Sequence, residues 1–245
     1  MKIFSETFIR ILAILSSLAV FIVLIATLVN FTRNQEISNF SFLKGNKDSA
    51  KIIAILRISG PIISDPSRIS SYDVFNSLES IYPSLIEDYL NELKTKNITG
   101  LIVSINSPGG SVSATKTIYD KFIKFKEKKN IPIYFHSSDI LASGGYWISL
   151  AGDKIFTNYG AIIGSIGVKG PDWIYFNNPT SLSNGIFGNY VESKNGIKLF
   201  SNSAGFSKDI YNPFRKPSES EIILLNEMVT DIYETFVTLA SSSRK

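Results

Sequence analysis

Three glycine-containing stretches stand at the ends of predicted strands: Ser107-Pro-Gly-Gly110, Ala142-Ser-Gly-Gly-Tyr146 and Gly164-Ser-Ile-Gly167. Acyl transfer needs a nucleophilic hydroxyl and two inward-pointing backbone N–H groups to hold the developing oxyanion. A serine that opens a helix and is followed by glycines offers a hydroxyl and an N–H together, which makes Ser143 the candidate nucleophile. The missing Cβ of Gly144 and Gly145 would let a peptide approach the backbone closely. A second Gly-Gly loop at the end of a neighbouring strand can supply the other N–H. Each stretch also has a plain structural reading. Residues 107–110 can be a tight turn, Ser143 a helix cap, and residues 164–167 a strand-edge turn. Their order and composition together favour the chemistry.

The base is harder to read. His136 is the single histidine, seven residues before Ser143. It could serve a Ser-His-Asp arrangement only if the intervening loop folded back tightly, and packing at a strand terminus is the simpler reading. Lysine is then the remaining base of known utility, provided burial and apolar or positive surroundings keep its amine neutral. The chain has 25 Lys and Arg residues, and residue types alone do not choose among them.

The elements that must position these groups alternate between strands and helices. Lys51–Ile58, Gly100–Asn106, Ile131–His136 and Lys154–Asn158 read as short strands. Apolar residues at helical spacing predict a helix over 84–96. A second helix carries Ile118, Phe122 and Phe125 on one stripe, surrounded by lysines that read as a solvated face. Ala142–Leu150 reads as a short apolar helix, and residues 160–170 as a Gly-rich turn. Ser218-Glu-Ser-Glu221 is a capping box that opens a final helix, with Ile222, Leu225, Val229, Ile232 and Phe236 on one face. This alternation predicts an α/β domain on a largely parallel sheet.

Composition narrows the classes further. The net charge of +4 is mild and acidic residues are spread throughout, so no nucleic acid partner is called for. There are no cysteines, which excludes disulfides, thiolate metal sites and cysteine nucleophiles. No His/Asp/Glu cluster has metal-ligand spacing, and no Gly-Lys-Ser/Thr follows the glycine-rich stretches, so neither a metal nor a phosphate-bearing cofactor is expected. From Ile11 to Val29 the chain carries 19 uncharged residues. As a helix they span about 28 Å, close to the hydrocarbon thickness of a bilayer. Lys2 and Arg10 precede the run, which favours a cytoplasmic N-terminus and a domain on the far side of the membrane. A cleaved signal peptide is the rival reading, with no good small-x-small site to support it. The expected organisation is an anchor over 1–31, a polar tether over 32–50 and a catalytic domain over 51–245.

Ser107-Pro-Gly-Gly110, Ala142-Ser-Gly-Gly-Tyr-Trp147 and Gly164-Ser-Ile-Gly-Val168 together resemble signal peptide peptidase A. So does the stretch from Asn195 through Ala204-Gly-Phe-Ser-Lys-Asp-Ile210 to Asn212-Pro-Phe-Arg215. The resemblance runs from about residue 51 to the end. It implies a ClpP/crotonase-like fold behind an N-terminal transmembrane helix, in a serine peptidase of the plasma membrane. It implies Ser143 as nucleophile, Lys208 as general base, Gly110 and Gly144 as the oxyanion hole, and Ser165 as a hydroxyl that orients the lysine amine. Peptides, among them remnants of cleaved signal peptides, are the implied substrates, and a homo-oligomer the implied assembly, in which serine and lysine of one site can come from neighbouring subunits. Two departures stand out. Residues 169–190 are longer than the family's usual connection and rich in aromatics. The family's further C-terminal strand–helix segment, with its G-x-x-A-x-x-x-G-L-V-D-like stretch, is not found before Lys245. A crotonase-type acyl-CoA enzyme would share oxyanion-hole loops but explains neither the apolar run nor the Ser–Lys motifs. A non-catalytic membrane scaffold is the third reading.

Overall fold

The computed structural model describes residues 2–33, 38–46, 49–65, 79–175, 183–185, 188–190 and 208–244. The chain divides into two units, Met1–Ser49 and Ala50–Lys245. In the first, α1 (Lys2–Arg33) is one long helix. Its segment Glu6–Thr27 has a mean hydropathy of 2.7 and no residue buried, so it is long and apolar enough to cross a membrane.

The second unit is built on β1 (Ile53–Ser59), β2 (Gly100–Asn106), β3 (Ile133–Ser137) and β5 (Lys154–Thr157), hydrogen-bonded in that order and all parallel. The register pairs Ile53 with Gly100, Leu101 with Ile133, and Tyr134 with Lys154. The crossovers are α2 (Pro83–Thr95) and α3 (Val112–Lys129). They pack on each other and bury Ile86, Leu90 and Leu93 of α2 with Ile118, Phe122 and Phe125 of α3. Phe122 meets Phe135 of β3 edge to face, with ring centroids 5.3 Å apart. The stripe read from sequence is thus the core face of α3.

Local chemistry explains where these helices begin. Pro83 starts α2 where its missing N–H costs nothing, and the carboxylate of Asp65 accepts from the Ser84 amide at 2.7 Å. Ser111 caps α3 by accepting from the Ala114 amide, and Asn130, at φ 50°, closes it in a left-handed cap.

Two short strands differ from the sequence reading, which starts a helix at Ala142, gives residues 160–170 to a turn and assigns no element to residues 140–141. β4 (Ile140–Ala142) and β6 (Ile162–Gly164) form a separate parallel pair. Three residues each are too short for a periodic signal, and glycines around residues 160–170 masked β6. β4 leads directly into α4 (Gly144–Ser149). A short antiparallel pair, β7 (Ser183–Gly185) and β8 (Gly188–Tyr190), occupies part of the long aromatic connection. The last element, α5 (Glu219–Ser243), begins at the expected capping box, with both reciprocal bonds formed between Ser218 and Glu221. Burial along its apolar stripe is uneven. Phe236 is 1% exposed and Ala240 buried, whereas Ile222 is 45% exposed.

Candidate active site

Three backbone segments meet at the carboxyl ends of the parallel strands, where open α/β sheets place their ligands. The first is the turn after β2. Ser107 is fully buried and its hydroxyl accepts from the Gly109 amide at 3.1 Å. Its backbone also takes a bridge to the strand that precedes the nucleophile, donating to Ile140 O at 2.8 Å and accepting from Ala142 N at 3.0 Å. Asn106, at the end of β2, fixes the neighbouring turn: its Oδ1 accepts from Ser137 Oγ, Ser138 N and Asp139 N at 2.9, 3.1 and 3.0 Å.

The second segment is β4 into α4. Ser143 sits between them at φ 50° and ψ −122°, a backbone conformation that glycine adopts readily and a residue with a Cβ does not. Its side chain makes no capping bond to α4, so the helix-cap reading of Ser143 does not hold. The hydroxyl-bearing residue is instead held on a sharp strand-to-helix turn. That is how an exposed nucleophile is presented at the edge of an α/β sheet. The third segment is β6, whose last carbonyl, that of Gly164, accepts from the Ser143 amide at 2.8 Å. This bond sets Ser165 (φ 53°, exposed) next to the nucleophile's backbone.

Gly109 shows how tightly the first two segments converge. A Cβ placed on it would lie 2.7 Å from Ser143 Cβ, 2.8 Å from Gly144 N and 3.0 Å from Ser143 Oγ. Gly110, at φ 155°, forms a bridge with Ile62 that uses Gly109 O and Ser111 N, which leaves the Gly110 N–H outside that bridge. Gly144 is the first residue of α4, so its N–H has no intrahelical acceptor. Gly110, Ser143 and Gly144 line one small pocket.

The motif glycines Gly144 and Gly145 act differently from the sequence reading. A Cβ on Gly144 would collide with Thr115 Oγ1, and one on Gly145 would lie 2.9 Å from Ser107 O. The space is filled by the protein itself. These glycines let α4 press against the β2 turn and α3, rather than opening a path for a peptide.

A small pocket beside Ser143 is lined by Gly110, Val112, Thr115, Gly144, Trp147, Gly167, Val168 and Phe236. Trp147 is stacked on Phe236 with centroids 4.7 Å apart, and Leu150 and Ala240 complete that cluster. Trp147 Nε1 and Thr115 Oγ1 are buried without a hydrogen-bond partner among the described residues. Sequence reasoning missed Thr115, Trp147 and Phe236 as parts of the site. Their helical spacing marked Phe236 as a core position, and nothing in the sequence ties that position to Ser143.

His136 is half-buried on β3, with Nε2 at 3.2 Å from Asn158 Oδ1, which fits its reading as a strand-terminus residue. Lys208 is exposed, at the start of a turn whose residues 209–215 are half-buried. Among the described residues it bonds to neither Ser143 nor Ser165. The motif residues 195–207 that precede it lie outside the described residues.

The segment from Asp209 to Glu221 is tightly organised. Arg215 donates through Nε and Nη2 to the two carboxylate oxygens of Asp209 at 2.8 and 2.7 Å. Through Nη1 and Nη2 it also donates to both oxygens of Glu221, at 2.8 and 2.7 Å. Glu221 is 2% exposed and also accepts from the Ser218 amide. The Arg215 guanidinium lies over Trp173 at 5.3 Å, and Trp173 Nε1 donates to Asn212 O at 3.1 Å. Hydrogen bonding from Arg215 holds the Asp209 carboxyl down at about 2, and the same bonds, with those to Glu221, bind the guanidinium proton more tightly.

Residues 125–245 match the model of peptidase family S49. A protein of Enterococcus faecium named for signal peptide peptidase SppA is 32% identical over 162 residues, which cover 64% of this chain and 43% of that one. A protein of Methanocaldococcus jannaschii named as a protease, MJ0651, is 30% identical over 180 residues, covering 71% and 53%. The chain thus spans about half the length of the curated relatives it matches. Among solved structures, a mutant of the 1510-N membrane-bound stomatin-specific protease aligns with a TM-score of 0.35 at 21% identity, covering 53% of each chain.

Proposed function

We propose that this chain, a member of peptidase family S49 through its residues 125–245, is a membrane-anchored serine endopeptidase with Ser143 as nucleophile and Lys208 as general base. The observation that carries the reading is Ser143 itself. A serine is held there at φ 50° and ψ −122°, which a residue with a Cβ rarely adopts, and its hydroxyl makes no capping bond.

The chemistry is built from those atoms. The amine of Lys208 takes the proton of Ser143 Oγ as the oxygen attacks the scissile carbonyl. The carbonyl oxygen gains the negative charge, which the N–H groups of Gly110 and Gly144 receive. The C–N bond then breaks, and the ammonium returns its proton to the departing amine. Water, deprotonated by the same amine, hydrolyses the acyl-enzyme and restores the serine. Ser165, beside the nucleophile's backbone, is the hydroxyl that orients the amine. The small pocket walled by Val112, Val168, Trp147 and Phe236 is the proposed place for a small residue next to the cut. Extended peptides of that kind, including remnants of signal peptides, are the proposed substrates, reached by a domain on the extracytoplasmic side of the membrane.

The spacing of α5 supports a dyad shared between subunits. Lys208 is tethered through Asp209 and Arg215 to Glu221 in the first turn of α5. Ser143 lies by Phe236, fifteen residues further along, or about 22 Å of helix. The lysine of one chain then serves the serine of its neighbour in a homo-oligomer. Ser143→Ala and Lys208→Ala should each abolish cleavage of a fluorogenic peptide while leaving the chain folded. Mixing the two inactive variants before assembly should restore part of the activity. Retained activity in either single variant removes the dyad, and no recovery on mixing places both groups in one chain.

A further inference from the structure

Lys208 carries the only function proposed for its turn, yet a dense polar cluster sits immediately after it. A guanidinium that forks onto two carboxylates at once is unusual for a surface turn, where a lone ion pair contributes little. Here one carboxylate is adjacent in sequence to Lys208. The other, on Glu221, is buried at the start of the helix whose far end packs on the nucleophile's helix. We propose that Asp209 and Arg215 are positioning residues: together with Glu221 they lock the Lys208 turn to the first turn of α5, fixing where the lysine amine is delivered.

Three observations converge on this. The geometry is that of a rigid clamp, because both forks are bidentate and the four bonds to the two carboxylates fall between 2.7 and 2.8 Å. The turn is braced a second time. Asn212 accepts from Trp173 through its carbonyl and from Phe214 N through Oδ1 at 3.0 Å, and the ring of its neighbour Tyr211 packs against Trp173 with centroids 5.4 Å apart. Tyr211 itself is held at φ 66°, a left-handed conformation that a loosely held tyrosine would abandon. Finally, α5 continues the same chain of contacts to the nucleophile's side: Phe236 stacks on Trp147, and Arg244 Nη2 donates to Ser149 O at 3.4 Å at the end of α4. The base and the nucleophile's helix are thus mounted at opposite ends of one rod. A lysine amine is a flexible point donor on four methylenes, so its delivery depends on how firmly its backbone is held.

The inference rests on the Ser143–Lys208 reading and extends it to residues that touch no substrate. The test uses the full chain in detergent, with kcat and KM for a fluorogenic peptide expressed per folded chain by circular dichroism. Asp209→Asn frees the lysine turn while leaving Glu221 paired with Arg215. Arg215→Lys keeps a charge against buried Glu221 and loses both forks. Each should lower kcat ten- to a hundredfold with KM within about twofold, because neither residue lines the peptide pocket. The double variant should lose no more than the worse single one, as expected of groups acting as a unit. A clamp that only stabilises the fold would lower the melting temperature and leave kcat per folded chain unchanged, and that result overturns the proposal. Lys208→Ala separates the two levels. If it stays active, the dyad itself fails; if it is dead while Asp209→Asn and Arg215→Lys keep wild-type kcat, only the clamp fails.

Discussion

Replacing Ser143 by glycine should make the protein more stable than replacing it by alanine, although both changes remove the nucleophile. At φ 50° and ψ −122° a Cβ-bearing residue sits in a region that costs about 1–3 kcal/mol and that glycine occupies freely. Glycine also gains freedom in the unfolded chain, which offsets about 0.4–1 kcal/mol of that relief. The net expectation is about 0.5–2 kcal/mol in favour of Ser143→Gly over Ser143→Ala. For a domain of this size each kcal/mol moves the melting temperature by about 2–4 °C, so the glycine variant should melt a few degrees above the alanine variant. Alanine is the right reference, because it deletes the hydroxyl while keeping the Cβ. The assay is paired thermal melts of the two full-length variants in the same detergent. Equal melting temperatures, or a lower one for glycine, would refute the claim that the nucleophile is held under strain for its function.

Phe236→Ala should destabilise the domain by about 3–5 kcal/mol in denaturant titrations, since a fully buried ring stacked on Trp147 leaves a cavity. Gly144→Ala, with its new methyl driven into Thr115 Oγ1, should cost about 1–3 kcal/mol and reduce labelling of Ser143 by a phosphonate, as seen by mass spectrometry. Asp209 has its folded-state pKa depressed to about 2, so the stability it contributes is complete above its unfolded value near 4 and is lost as pH falls towards 2. Melting temperatures taken between pH 5 and pH 2 should fall less steeply in Asp209→Asn than in the parent.

Where the sequence was periodic, the fold was legible. The stripe Ile118, Phe122, Phe125 is the core face of α3, the run Gly100–Asn106 is β2 to the residue, and Ser218 with Glu221 forms both bonds of its capping box. The α/β class with a parallel sheet and one long apolar N-terminal helix agrees with the same patterns. What escaped was non-periodic. β4 and β6 are three residues each, and they pair across a glycine-rich stretch that local preference assigns to a turn. The motif around Ser143 was visible, but the purpose of its glycines was not: Gly144 and Gly145 read as room for substrate, whereas Thr115 and Ser107 occupy that room. The clamp was invisible for a different reason. Asp209, Arg215 and Glu221 are six residues apart in each step, a spacing belonging to no regular element, and only the turn between them brings the three side chains together.

α5 acts as a gauge. Its exposed face should accept many substitutions, because Ile223, Leu224 and Met228 are exposed among the described residues. Its length should not vary. Adding one residue between Glu221 and Phe236 would turn one end by about 100° relative to the other and push it about 1.5 Å outward. Even an insertion that restores the phase would move the lysine-bearing turn away from the helix that begins after Ser143 by a full step of the spiral. Relatives that share this arrangement should therefore differ freely in what the helix displays and hardly at all in how long it is.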